Sequence, residues 1–203
     1  MHVIINVHHD DDWVKPTASE AENTKDRLGS LWTQVATHFK KYNDSLVFET
    51  LNEPRLQGIP EEWIGGTPEG RQFINDFNKT AVDAIRATGG NNEKRHIMIP
   101  TWGASTIPVA MNDLVIPNND SKIIISLHSY FPWQFAGEAQ ISWGSSQDKI
   151  ELEAELDAIR QKWIIEEGRP VIIGEWGSIE ANPLQSRIEY ATFYAQQAAE
   201  RGL

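Results

Sequence analysis

Two glutamates sit in unusually constrained sequence. Glu53 lies in Asn52-Glu53-Pro54 and Glu175 in Gly174-Glu175-Trp176-Gly177, each shortly after a run of apolar residues. Proline disfavours helical geometry in the residue before it, so Glu53 is projected from its strand end rather than wound into the next helix. Glycines on either side of Glu175-Trp176 let the backbone turn sharply and let a ligand approach. Two carboxylates on one face of a sheet are the equipment for glycoside hydrolysis. One must be protonated to release the leaving-group oxygen. The other must be charged to attack or to activate water, and the surroundings must hold the two proton affinities apart. An isolated strand-end glutamate more often caps a helix or pairs with an arginine. The pair, with histidines and tryptophans at neighbouring strand ends, points to chemistry instead.

His8 and His9 close the first apolar run and are followed by Asp10, Asp11 and Asp12. If strand geometry persists, the two imidazoles point to opposite faces, so at least one faces the site. Imidazole and carboxylate also ligate metals. The helical two-histidine zinc arrangement is missing, however, and consecutive residues rarely chelate one ion, so neither metal nor cofactor is expected. In His128-Ser129-Tyr130 the outer pair shares one face at strand spacing and could orient a catalytic glutamate. The eight tryptophans divide between packing and stacking roles, since an indole serves both a core and the flat face of a sugar.

These residues need elements to hold them. Five β-branched runs, Val3–Val7, Leu46–Thr50, His96–Pro100, Lys122–Leu127 and Pro170–Ile173, are nearly continuous in apolar residues, as parallel strands covered on both faces are. Helical segments lie between them. The first is predicted from Ser19 to about Lys41, opened by a Ser19/Glu22 capping box. The second has Thr67 as cap, Pro68 at its first position and Gly89-Gly90 as its stop. A short helix is predicted around Ser105–Leu114, another from Ser145 or Ser146 to Gly168, and a last from Asn182-Pro183, with Gln185 completing a capping box, to Arg201-Gly202. A β-α unit repeated five times implies an α/β fold with a parallel sheet. No glycine-rich turn follows the first strand, which argues against a dinucleotide-binding open sheet. Polar and aromatic residues instead crowd the carboxyl end of every strand: His8-His9, Asn52-Glu53, Thr101-Trp102, His128 with Tyr130, and Glu175-Trp176. That is the pattern of the active face of a TIM (β/α)₈ barrel.

Composition narrows the partners. The 203 residues are 40% apolar, enough for one sizeable core and too few for two comfortable domains, so a single domain spanning 1–203 is expected. A formal charge of −11 argues against nucleic acid, because phosphate binding needs a basic surface. No apolar run reaches the roughly 18 residues of a membrane span, and no membrane partner is expected. The absence of cysteine excludes disulfides and thiolate metal sites. Met1-His2-Val3-Ile4-Ile5 enters a strand-like run with no charged leader or cleavage site, so no signal peptide is read in this chain.

Taken together, several stretches resemble glycoside hydrolase family 5, the (β/α)₈ glycosidases with two strand-end glutamates. The anchors are Ile5-Asn6-Val7-His8-His9-Asp10 with Trp13-Val14-Lys15-Pro16, Phe48-Glu49-Thr50-Leu51-Asn52-Glu53-Pro54-Arg55, Trp63-Ile64-Gly65-Gly66-Thr67-Pro68, Ile85 to Asn92, His128-Ser129-Tyr130, and Ile172-Ile173-Gly174-Glu175-Trp176-Gly177. The resemblance is strongest to the bacterial endo-β-1,4-glucanases and xyloglucanases. It implies Glu53 as general acid/base and Glu175 as nucleophile in a retaining mechanism, with carboxyl groups roughly 5–5.5 Å apart. It implies that Asn52 bonds the sugar 2-hydroxyl, that His8 and His9 line the same subsite, and that Tyr130 donates towards Glu175 with His128 near Glu53. Trp13, Trp102, Trp133 and Trp176 become candidate sugar platforms, Trp133 first among them.

The resemblance covers barrel strands three to seven, with strands one, two and eight absent, so a partial barrel is expected. The arginine that the family sets beside its nucleophile and the tryptophan that floors its central subsite have no counterpart. The fragment itself is therefore expected to be weak or inactive. It is also expected to self-associate through open sheet edges at Val3–Val7 and Val171–Ile173, while the full-length parent would be a secreted enzyme acting on β-glucan polysaccharide or oligosaccharide. The alternatives are another clan activity, a β-mannanase or xylanase, or a truncated barrel that only binds glycan.

Overall fold

The computed structural model describes residues 1–9 and 11–203; Asp10, an anchor of the resemblance and one of the metal candidates, lies outside the described residues. The elements follow one another as β1 (Val3–Asn6), α1 (Ala21–Phe39), β2 (Leu46–Glu49), α2 (Pro68–Ala87), β3 (Ile97–Ser105), α3 (Pro108–Asn112), β4 (Ile123–His128), α4 (Trp133–Ala136), α5 (Ser146–Ile159), β5 (Val171–Glu175) and α6 (Leu184–Arg201). Strand order in the sheet is chain order, β1-β2-β3-β4-β5. The β1–β2 and β2–β3 pairs are parallel, with Ile5 opposite Phe48 and Phe48 opposite Ile97. Parallel neighbours need a crossover connection, and a helix supplies each one. The chain packs as two compact units, Met1–Ser126 and Leu127–Leu203, and β4 runs through the boundary.

In the first unit, β2 and β4 are buried along their whole length, and β3 all but its last residue. Trp32 of α1 packs 5.2 Å from Phe48 and donates its indole N–H to Thr50 O at 3.0 Å. The Thr50 hydroxyl donates to Asn78 Oδ1 at 2.7 Å, and Asn78 Nδ2 donates to Pro100 O at 3.0 Å. A buried polar line thus joins β2, α2 and β3 with its groups paired, as burial requires. At the amino end of β3, fully buried Arg95 donates to the carbonyls of Asn43, Leu46, Phe39 and Tyr42 and to Asn92 Oδ1, with its guanidinium 4.9 Å over the Phe48 ring. In the second unit, Phe135, Trp143, Tyr190 and Tyr194 form an aromatic core. Helix α5 opens on a capping box in which Ser145 and Asp148 each satisfy the other's backbone N–H. It then continues as a π-helical turn over Arg160–Glu166.

Several local expectations are corrected. Strand β1 is exposed or half-buried throughout rather than covered on both faces, and it is an edge strand that, among the described residues, pairs with β2 alone. Strand β3 runs five residues past Pro100, since Gly103 N donates to Pro54 O and the Thr101 hydroxyl to Ser105 O. The Ser19/Glu22 box does not form: the backbone N–H groups of Glu20 and Ala21 donate to Thr17 O, and α1 starts at Ala21 without a side-chain cap. Helix α6 also lacks a side-chain cap: it starts at Leu184, so the capping position falls on Pro183, which has no side-chain acceptor, while Asn182 Nδ2 donates to Phe135 O at 2.6 Å. Thr67 does cap α2, accepting from Gly70 N at 3.0 Å with Pro68 at the first position. No helix among the described residues is long and apolar enough to cross a membrane.

Candidate active site

In the first unit the chain leaves β2 through Asn52-Glu53-Pro54-Arg55, and these residues wall a cleft of about 100 Å³ together with Val7, His9 and Asp11. The volume suits part of one sugar ring rather than a drug-sized ligand. Arg55 organises this wall. Its Nη1 donates to Glu53 O at 2.9 Å and lies 3.7 Å from Glu53 Oε2 and 3.5 Å from Asp11 Oδ1, while Nε donates to Glu62 Oε1 at 3.1 Å. Its guanidinium also lies 4.3 Å over the ring of Trp63, which is 56% exposed. One cation is therefore divided among three carboxylates and an indole face.

The strand-end histidines do not alternate as extended residues would. Strand β1 has already ended at Asn6, and His9 adopts φ 57°, in the left-handed region. The two exposed imidazoles meet edge to face at 4.2 Å, and His9 is the one that lines the cleft. Two of the proposed sugar platforms are excluded. Trp13 is buried, with the Arg27 guanidinium 4.4 Å over its ring. Trp102 is only 2% exposed and donates its indole N–H to Glu62 O at 2.8 Å. It fills the space over Gly66 and Gly70, where an added Cβ would come within 2.2 and 2.4 Å of its ring. Gly66, at φ 71°, serves both the turn and that close approach. Both rings are core, not platform.

In the second unit, Glu175 ends β5 half-exposed. The Tyr130 hydroxyl donates to Glu175 Oε2 at 2.9 Å, and His128 Nδ1, with its side chain buried, stands 3.6 Å from the same oxygen. Ser129 N donates to Glu175 O at 2.9 Å, which holds the two strand ends in register. Trp176 stacks on Tyr194 at 4.5 Å with the planes 7° apart, leaving its other face outward. Burial pushes the Tyr194 and Tyr190 phenols far above their ordinary range, so the floor beneath Trp176 stays neutral. Trp133 is 54% exposed and meets Tyr130 edge to face at 6.5 Å.

The structure adds residues that spacing alone did not single out: Arg55 and Trp63 beside Glu53, and the buried carboxylate Glu49 four residues before it. Arg55 lies within the Phe48–Arg55 anchor, but nothing in its sequence surroundings assigns its partner Glu62.

Comparison with known proteins follows the same outline. The family model for cellulase, glycosyl hydrolase family 5, matches residues 1–203. This chain belongs to glycosyl hydrolase family 5. The family 5 chain is 51% identical over 205 residues to the cellulase/esterase CelE of Acetivibrio thermocellus, a match spanning 100% of this chain and 25% of that protein. It is 47% identical to endoglucanase B of Clostridium cellulovorans, with 100% and 47% covered. The structure of ZgEngAGH5_4 in complex with a cellotriose superposes with a TM-score of 0.97 at 53% identity, over 100% of this chain and 61% of that one. The family 5 chain thus spans a quarter to three-fifths of these relatives, and its five strand–helix repeats are part of a (β/α)₈ barrel.

Proposed function

We propose that the full-length protein is a secreted, retaining endo-β-1,4-glucanase that acts on cellulose, mixed-linkage glucan or xyloglucan by double displacement. The observation that carries this reading is the setting of Glu175 within a family 5 chain: a strand-end carboxylate fixed through Oε2 by the Tyr130 phenol at 2.9 Å, with His128 beside it. That contact leaves Oε1 to act as nucleophile on the anomeric carbon. As the C–O bond to the leaving sugar breaks, Glu53 gives its proton to the departing oxygen. Water then yields a proton to Glu53 and its oxygen to the anomeric carbon, freeing Glu175. Asn52, His8 and His9 would hold the reacting sugar, and Trp133 and Trp176 would stack against its neighbours. The names of the relatives support a glucan substrate.

Reducing-sugar release by the full-length protein on carboxymethyl-cellulose, β-glucan, xyloglucan, mannan and xylan tests the substrate, with the first three expected to be cleaved. Release from mannan or xylan alone would move the enzyme to another activity of the clan. Binding with no release from any polymer would make it a glycan-binding protein. Proton NMR of the first product tests the mechanism: β-anomer is expected, and α-anomer would overturn retention.

A further inference from the structure

Strand β2 carries another carboxylate, Glu49, only 5% exposed. Its Oε2 accepts from Asn6 Nδ2 at 2.9 Å, and its Oε1 accepts from the Ser126 hydroxyl of β4. Asn6 pairs with Glu49 in the β1–β2 register, so the contact is built into the sheet. The same amide nitrogen lies 3.2 Å from His8 Nδ1 and 3.4 Å from Asn52 Oδ1. All of these residues belong to the first unit.

The chemistry of these groups fixes their polarity. An ionised carboxylate only accepts, whereas a side-chain amide has one donating and one accepting end. Turning Asn6 over would press its oxygen against Glu49 Oε2 in a buried place, and an unpaired buried acceptor is costly. The NH₂ end must therefore face Glu49. One of its protons serves the carboxylate and the other is left for His8 Nδ1 and Asn52 Oδ1. Whichever imidazole nitrogen accepts, the proton sits on the other.

We propose that Glu49 is a positioning residue that acts through Asn6 to fix His8 as the Nε2–H tautomer and to turn the carbonyl oxygen of Asn52 away, leaving both side chains as donors. The arrangement itself needs no assumption about the reaction. Its catalytic consequence rests on the glucanase reading, in which two donors aimed at one sugar require its hydroxyl oxygens to accept. A purely structural Glu49 would merely tie β1, β2 and β4 together and would leave the His8 tautomer alone.

Long-range ¹H–¹⁵N correlation of the ¹⁵N-labelled chain, recorded above the histidine titration, decides between them, with His8 assigned by its loss in His8→Gln. The expected result is a proton on Nε2 and a bare Nδ1. A proton on Nδ1 in the native chain would overturn the proposal. In Glu49→Gln the side chain can offer a donor to Asn6, and the His8 pattern should shift to a mixture of tautomers; an unchanged pattern sinks the role of Glu49. Should that variant fail to fold, Asn6→Ala must give the same mixture. Ser126→Ala removes another partner of Glu49 and should leave the tautomer untouched; a change there would mean that loosening of the strands, not the Asn6 relay, sets it. In the full-length protein Glu49→Gln should lower kcat/KM about tenfold, the worth of one hydrogen bond. If the native protein cleaves no glucan, the functional reading falls while the tautomer result stands.

Discussion

Glu53 and Glu175 leave their strands through similar-looking sequence, yet the regions around them differ. The β2 end is dense in charge: Arg55 is shared by Glu53, Asp11 and Glu62, and a further carboxyl group, Glu49, lies buried at the last position of the strand. The β5 end is set instead with a phenol, an imidazole and stacked rings: Tyr130, His128 and the Trp176–Tyr194 pair. Burial differs in the same sense, complete along β2 and partial along β5. A carboxylate asked to cycle a proton gains from neighbouring charges that respond to it. One that forms a covalent bond, the role proposed for Glu175, gains from being held still by a fixed donor such as the Tyr130 phenol.

That contrast is open to attack. The largest effect should come from Glu175→Gln, which removes the proposed nucleophile and should reduce hydrolysis of polymer and of activated aryl glycosides alike to background. Glu53→Ala should cost on the order of 10² to 10⁴ in kcat/KM on polysaccharide, but far less on an aryl glycoside whose leaving group needs no proton. Equal losses on both substrates would erase the distinction between the two ends. Arg95→Met leaves several buried carbonyls without a donor and should lower unfolding free energy by about 3 kcal/mol, read by denaturant titration. Tyr130→Phe should lower kcat by about tenfold with KM unchanged; a change in KM alone would make the phenol a binding group instead.

The smallest effect concerns pH. Burial, reinforced by Lys122 and Arg86, holds the His96 pKa below its ordinary value of 6.5. The unfolded chain therefore binds the proton more readily, and the contribution of His96 is full above 6.5 and declines as pH falls towards its folded value. His96→Gln should flatten that part of a stability–pH curve by a fraction of a kcal/mol.

The repeat of strands and helices was legible because apolar runs and turn signals are local. So were the two glutamates, since proline and glycine constrain them from adjacent positions. Burial was less legible. Trp13 and Trp102 look like platforms in sequence, but what covers a ring is decided by residues far along the chain, Arg27 in one case and the Gly66–Gly70 turn in the other. The start of α1 departs from its local signal because Thr17 O accepts from Glu20 and Ala21, while the Glu22 carboxylate pairs with Lys25 instead of reaching back to Ser19. The relay from Glu49 to His8 was invisible for a similar reason: it joins three strands through side chains whose pairing depends on register.

Arg95 closes the amino ends of β2 and β3 like a rivet, gathering four carbonyls of the α1–β2 connection and the Asn92 side chain under one guanidinium. Its grip is remote in sequence from the segments at the opposite strand ends. Substitutions at the exposed Trp63 and Ile64 could therefore be combined freely on this scaffold without loosening the rivet.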